Sequence, residues 1–156
     1  MGVLVGPTPW WQSNIVRSCP VGTTLPDGSK IVCKAAQTAW IVAPSSTQVS
    51  MAWAGGQYNS ALVGDKCCIS EWSTLQTCLI TSGFNPADWF VPSNSQLQSG
   101  YNCRTQWDTF SSATYWSSTE FSCTIAYTVR FQCGGDIFGT SKTNTFCVRA
   151  FRCVTY

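Results

Sequence analysis

Alternation of apolar and polar residues predicts strands in the first and last thirds of the chain. CTIAYTVRF at 123–131 and TFCVRAFRCVTY at 145–156 alternate with the period of two of a half-buried strand. The segments 15–24, 29–35 and 38–44 also have strand character, and LPDG at 25–28 separates the first two as a turn.

The middle of the chain follows a helical period instead. Between Ser70 and Gly83, the residues Trp72, Leu75 and Leu79 recur at helical spacing, with Ser70 as the predicted N-cap and Gly83 just past the end. In a second helix, Ser93 and Gln96 have the spacing of a capping box, and Gly100 is predicted to stop it.

Strands, two short helices and further strands predict an α+β fold with antiparallel sheets and long loops. The chain has 156 residues, a length that fits one domain, which we place at 14–156. Residues 1–13 are apolar, punctuated by prolines, and end in Trp10 and Trp11. We interpret them as a docking arm, packed either on a neighbouring subunit or on its own domain.

The composition excludes several classes of protein. Charged residues make up 10% of the chain, against about 25% in an average soluble domain, so Ser, Thr, Asn and Gln must provide solubility. The net charge of +2 is spread without adjacent basic residues, which argues against binding to nucleic acid. No apolar run approaches the roughly 18 residues of a spanning helix, so we predict no membrane insertion.

The ten cysteines predict a fold held by disulfides, since they are even in number, lack C-x-x-C spacing and have no histidine to complete a mixed metal site. Cys19 and Cys33 flank the turn at 25–28 symmetrically, which favours their pairing. Cys123 and Cys133 bracket a strand of about 33 Å, so each needs another partner. The cysteines are Cys19, Cys33, Cys67, Cys68, Cys78, Cys103, Cys123, Cys133, Cys147 and Cys153.

Disulfides imply an oxidising location, yet the first residues lack the basic start of a signal peptide. A virion component released by lysis would meet both conditions. A mature chain whose leader was removed is the alternative, so the predicted location is the virion exterior or the extracellular space.

Three segments in order resemble the C-terminal domain family of bacterial collagen-like adhesins. They are DWFVPSNSQL at 88–97, YWSSTE at 115–120 and VRAFR at 148–152, the last preceded by Lys142, and the resemblance covers about 40–152. It implies a C-type-lectin-like fold, and similar domains occur in phage virion proteins. Gln96 replaces an acidic residue of the family pattern, and the calcium-binding elements of sugar-binding lectins are missing, so no calcium site is expected.

Within YWSSTE, the resemblance leads us to expect Trp116 in the core and the hydroxyl groups of 117–119 bonded to backbone. Glu120 would be a structural charge, paired with Arg149 or Arg152 on the last strand. The alternative is that YWSSTE forms a ligand site.

Catalytic chemistry finds little support. Without histidine, Ser-His-Asp and Cys-His arrangements are excluded, and no paired carboxylate motif or nucleotide-binding loop occurs. We therefore predict no enzymatic activity and no cofactor. The aromatic residues best placed for an exposed ligand patch, in loops rich in Gly, Asn and Gln, are Trp53, Tyr58, Tyr101 and Trp107.

The sequence thus predicts a non-enzymatic module on the exterior of a phage virion, as capsid decoration or as a tail-fibre or host-attachment protein. Its partners would be other virion or fibre subunits, further copies of itself and host-surface carbohydrate. The alternatives are a secreted bacterial adhesin that binds polysaccharide or glycosaminoglycan, and a self-assembling fibre or coat subunit.

Overall fold

A computed structural model describes residues 16–107 and 113–156. Besides the helical residues 16–18, the helices in these ranges are α1 (Ser73–Thr81) and α2 (Asn94–Asn102), and short 3₁₀ turns join many of the elements. The strands are β1 (Lys30–Ala35), β2 (Thr38–Val42), β3 (Val49–Met51), β4 (Thr114–Glu120), β5 (Ile125–Arg130), β6 (Asp136–Ser141), β7 (Phe146–Val148) and β8 (Phe151–Thr155).

The strands form two sheets. The smaller sheet has the order β1-β2-β8 and is antiparallel throughout. The larger has the order β3-β7-β4-β5-β6 and is antiparallel except where β4 meets β7 in parallel. The predicted α+β class is confirmed, and the parallel contact at Tyr115 and Cys147 makes the larger sheet mixed.

Two apolar cores lie on opposite faces of β4. Trp116 packs into the core that contains Trp53 and Trp72, whereas Tyr115 packs into the core that contains Phe131 and Phe151. Adjacent residues of a strand point to opposite faces, so this pair divides between the two cores. The expectation that Trp116 is a core residue is confirmed.

The helix predictions hold at α2 and shift at α1. Ser93 Oγ accepts from Gln96 N at 3.2 Å and Gln96 Oε1 accepts from Ser93 N at 2.8 Å, which is the predicted capping box. Helix α2 continues past Gly100 to Asn102, so Gly100 does not stop it. A Cβ there would lie 2.7 Å from Phe151 Cζ, so glycine permits close packing instead.

At the start of α1 the N-cap is Trp72, and Ser70 lies in the preceding 3₁₀ turn. The predicted N-cap is therefore wrong by two residues. Gly83 does follow the helix end, with a φ of 88°.

The first predicted strand is largely wrong. Residues 16–18 are helical, and Thr24 makes only an isolated bridge to Lys30. The next two strands are confirmed as β1 and β2. The turn between the first two segments is also confirmed, because Gly28 N donates to Leu25 O at 2.9 Å.

One disulfide, Cys33–Cys103, joins β1 to the end of α2. The favoured pairing of Cys19 with Cys33 is therefore wrong: contacts across the fold, rather than the nearby turn, select the partner. Fold-wide stapling is also not observed among the described residues, where eight further cysteines are free thiols: Cys19, Cys67, Cys68, Cys78, Cys123, Cys133, Cys147 and Cys153. The predicted docking arm at 1–13, with Trp10 and Trp11, lies outside the described residues.

Candidate functional site

A buried ion pair lies at the end of β4. Lys142 Nζ donates to Glu120 Oε2 at 2.6 Å, and the two side chains are 0% and 3% exposed. The Lys142 ammonium lies 4.7 Å from the centre of the Trp53 ring. Glu120 is thus a structural charge, as expected, although its partner is different.

This ion pair anchors the loop at 58–64. Glu120 accepts from Val63 N at 3.0 Å and from Gly64 N at 2.7 Å. Lys142 Nζ donates to Tyr58 O at 3.2 Å and Ala61 O at 3.0 Å. Two opposite charges therefore fix the backbone of a loop that contains no strand.

Burial and hydrogen bonding act in opposite directions on the carboxyl group. Burial alone would raise the pKa of Glu120, but the hydrogen bonds from Lys142, Val63 and Gly64 favour the carboxylate and lower its pKa overall. Glu120 is consequently charged in the folded protein near neutral pH.

The segments that carry the family resemblance contact one another. Ser118 N donates to Pro92 O at 2.8 Å, and Asn94 N donates to Thr119 Oγ1 at 3.0 Å. Phe90 and Phe151 exchange two backbone hydrogen bonds of 2.9 Å. Segments 88–97, 115–120 and 148–152 therefore form one bonded unit, which we call the motif junction.

The hydroxyl groups of YWSSTE bond to backbone, as expected, at two positions. Ser117 Oγ donates to Tyr127 O at 2.7 Å, and Thr119 Oγ1 accepts from Asn94 N. Within this structure they support β4 and α2 rather than line an open site.

Neither predicted arginine partner contacts Glu120. Arg149 Nε donates to Ala43 O at 2.8 Å, and its guanidinium lies 5.2 Å from the Trp107 ring. Arg152 lies over Trp89 at 5.6 Å, and burial lowers its pKa against the opposing effect of Asp88. The expected pairing with either arginine is wrong: Arg149 donates to Ala43 instead, and Arg152 lies on β8 in the other sheet.

The predicted aromatic patch does not exist as an exposed surface. Trp53, Tyr101 and Trp107 are buried, and only Tyr58 is half-buried. Trp53 belongs to one core and donates its indole N–H to Ser117 O at 2.9 Å, whereas Tyr101 and Trp107 belong to the other core. The local composition misled the prediction, since Trp53 and Trp107 fold back into the cores and Tyr101 lies on helix α2.

A different apolar surface lies beside the ion pair. Phe121 directly follows Glu120 and is 61% exposed, and its ring lies 5.5 Å from that of the half-buried Tyr127. Leu62, in the anchored loop, is 69% exposed. We call the ring pair of Phe121 and Tyr127 the Phe121 surface. Sequence reasoning missed it, although an aromatic residue at the end of a strand and before a polar turn was a usable signal.

A cleft of about 440 Å³ lies between α1 and the 3₁₀ turns that precede and follow it. Its lining is Cys68, Ile69, Ser70, Gln76, Ile80, Asn85, Pro86, Ala87 and Trp89. No carboxylate lines it, so it lacks the paired acids of hydrolytic sites.

Residues 16–107 and 113–156 contain no cluster of three or more His, Cys, Asp or Glu side chains that is arranged to hold a metal ion. They also contain no helix with the length and apolar character needed to cross a bilayer.

No family model and no curated protein matches this chain. Among solved structures, a fimbrial protein from Bacteroides ovatus ATCC 8483 is similar at 23% identity, with a TM-score of 0.34. The match covers 56% of this chain and 20% of the fimbrial chain. A TM-score of this size is too low to indicate a common fold.

Proposed function

We propose that this chain is a non-enzymatic, C-type-lectin-like module on the exterior of a phage virion, where it serves host attachment or capsid decoration. The motif junction is the observation that carries this proposal. Segments up to about 60 residues apart, which together resemble the adhesin domain family, bond directly to one another. The three segments that resemble the family therefore lie together in the fold as one unit.

The motif junction also includes Glu120, which supports an exposed loop. Glu120 ends the YWSSTE strand and, with Lys142, fixes the loop that carries Leu62. A rigid scaffold that presents loop residues is a common arrangement for binding. Host attachment would use the Phe121 surface on this support.

Uncharged carbohydrate is the ligand class that fits this surface. The rings of Phe121 and Tyr127 offer apolar contact, and hydroxyl and amide groups lie on the neighbouring strand and turn, including Ser141, Thr143 and Asn144. The adjacent Glu120 and Lys142 charges neutralise each other in the interior.

Location is tested first. Purified phage particles and the cleared culture fluid are compared by quantitative proteomics, and antibody against this chain is applied to intact particles for electron microscopy. The proposal expects the chain at constant stoichiometry on the outside of particles. Recovery only from bacterial surfaces or particle-free fluid would instead support the adhesin alternative.

Binding is tested separately on an array of neutral and charged glycans. We expect Phe121→Ser to lose binding to a neutral glycan that the wild-type chain retains. Ile80→Ser removes a similarly exposed apolar side chain at the cleft and is the matched control. Equal loss in both variants, or full binding by Phe121→Ser, would count against this surface.

A further inference from the structure

Strand β6 is an open edge of the larger sheet. Among the described residues it pairs only with β5. Lys142 N donates to Thr124 O directly across this pair, and the alternation of antiparallel hydrogen bonds then directs residues 136, 138 and 140 towards β5. The backbone N–H and C=O groups of Ile137 and Gly139 therefore point outward, away from the sheet.

The two apolar side chains of this edge lie on opposite faces. Ile137 is 36% exposed and shares a face with Val129, while Phe138 is 48% exposed and lies under the Arg130 guanidinium at 4.3 Å. A ligand on one face would cover only one of them. A strand added along the edge would cover both and satisfy the outward backbone groups.

We propose that β6 pairs in antiparallel fashion with β6 of a second copy, in a register centred on Phe138. Ile137 then lies opposite Gly139 of the partner subunit, and the twofold axis repeats this pair. Each of the two pairs exchanges both N–H···O bonds, giving four in all, and Phe138 meets its own copy at a Cα separation of about 4.5 Å. In this register, every outward N–H and C=O group of Ile137 and Gly139 forms a hydrogen bond.

The sequence of β6 is complementary to itself in this register. Gly139 has no side chain where Ile137 of the partner subunit must fit, and Phe138 forms an aromatic cross-strand pair. Asp136 is already bonded to Arg130 and lies opposite the partner's Thr140, so no like charges face each other. The strand also has no proline, lysine or arginine, the residues that commonly protect an edge.

The test is the oligomeric state of the full chain, with its exposed thiols alkylated so that disulfides cannot join copies. Sedimentation equilibrium from low micromolar to millimolar concentration should show a monomer–dimer equilibrium. Phe138→Lys places two ammonium groups face to face and should weaken the dimer about tenfold or more. Ile137→Lys should weaken it as well.

Ile80→Lys is the matched control, because it alters a similarly exposed apolar residue on α1, away from β6, and should leave the dimer unchanged. Thermal unfolding of each variant shows that it is folded. Amide hydrogen exchange should show protection of Ile137 and Gly139 that increases with protein concentration.

The proposal would be overturned by a monomer at every concentration, a dimer unaffected by Phe138→Lys, a dimer weakened equally by Ile80→Lys, or open-ended oligomers. Concentration-dependent protection at β1 or β3 instead of β6 would assign the contact to another edge and equally reject it.

Discussion

Replacing Glu120 with Gln should destabilise the protein strongly. The side chain keeps its shape but loses its charge, so Lys142 remains as a buried ammonium without a counter-charge. One carboxylate oxygen becomes an amide NH₂ that faces the backbone donors of Val63 or Gly64. Breaking a buried ion pair by changing one partner costs about 3–5 kcal/mol.

The measurement is urea unfolding followed by tryptophan fluorescence, because Trp53 lies against Lys142. For a domain of this size, about 1 kcal/mol corresponds to a change of roughly 2–4 °C in Tm. The expected loss is therefore a decrease of about 6–20 °C in a parallel thermal scan.

Asp136→Asn is the matched control, since it breaks the solvent-accessible ion pair with Arg130. Exposed pairs contribute little, so its effect should be much smaller. Adding Lys142→Met to Glu120→Gln should restore part of the loss, because the uncompensated charge is removed. If Glu120→Gln cost no more than Asp136→Asn, the idea that this pair anchors the loop would be refuted.

Three further changes, in pH, at Gly100 and at the disulfide, have defined outcomes. Folding lowers the pKa of Glu120 below its ordinary 4.5. The stability that the Glu120 carboxylate contributes is therefore complete above that pH and is lost as the pH falls through the folded pKa. Urea titrations at several pH values should show this loss for the wild type but not for Glu120→Gln. Gly100→Ala should cost about 1–3 kcal/mol in the same assay, because its Cβ would overlap Phe151, and an unchanged midpoint would contradict this packing. Replacing Cys33 and Cys103 by Ser opens a link across 70 residues and should cost about 4 kcal/mol by chain entropy, so an unaltered midpoint would argue against the bond.

Some local signals predicted local structure correctly, whereas the N-cap at Ser70, the helix stop at Gly100 and the strand at 15–24 were wrong. The capping box of Ser93 and Gln96 and the turn at 25–28 depend on residues within a few positions of each other, and both are present. The spacing of apolar residues also predicted the buried face of α1 correctly, since Leu75 and Leu79 are buried.

Contacts between distant segments were harder to predict. Glu120 could be recognised as a structural charge, but its partner depends on the path of the chain after β6, which brings Lys142 rather than Arg149 to it. In the same way, Trp53 stands in a Gly-rich loop yet is fully buried, because Ala54 and the glycines after it adopt positive φ and turn the loop inward.

The position of β2 has a consequence during synthesis of the chain on the ribosome. β2 lies between β1 and β8, and Arg149 reaches back to the carbonyl of Ala43, 106 residues earlier. The nascent chain can form the β1-β2 hairpin early, but the other edge of β2 stays unpaired until β8 has been synthesised. Until then, Val42 and its neighbours form an open strand edge that other chains could pair with, so the nascent chain is exposed to aggregation at this position.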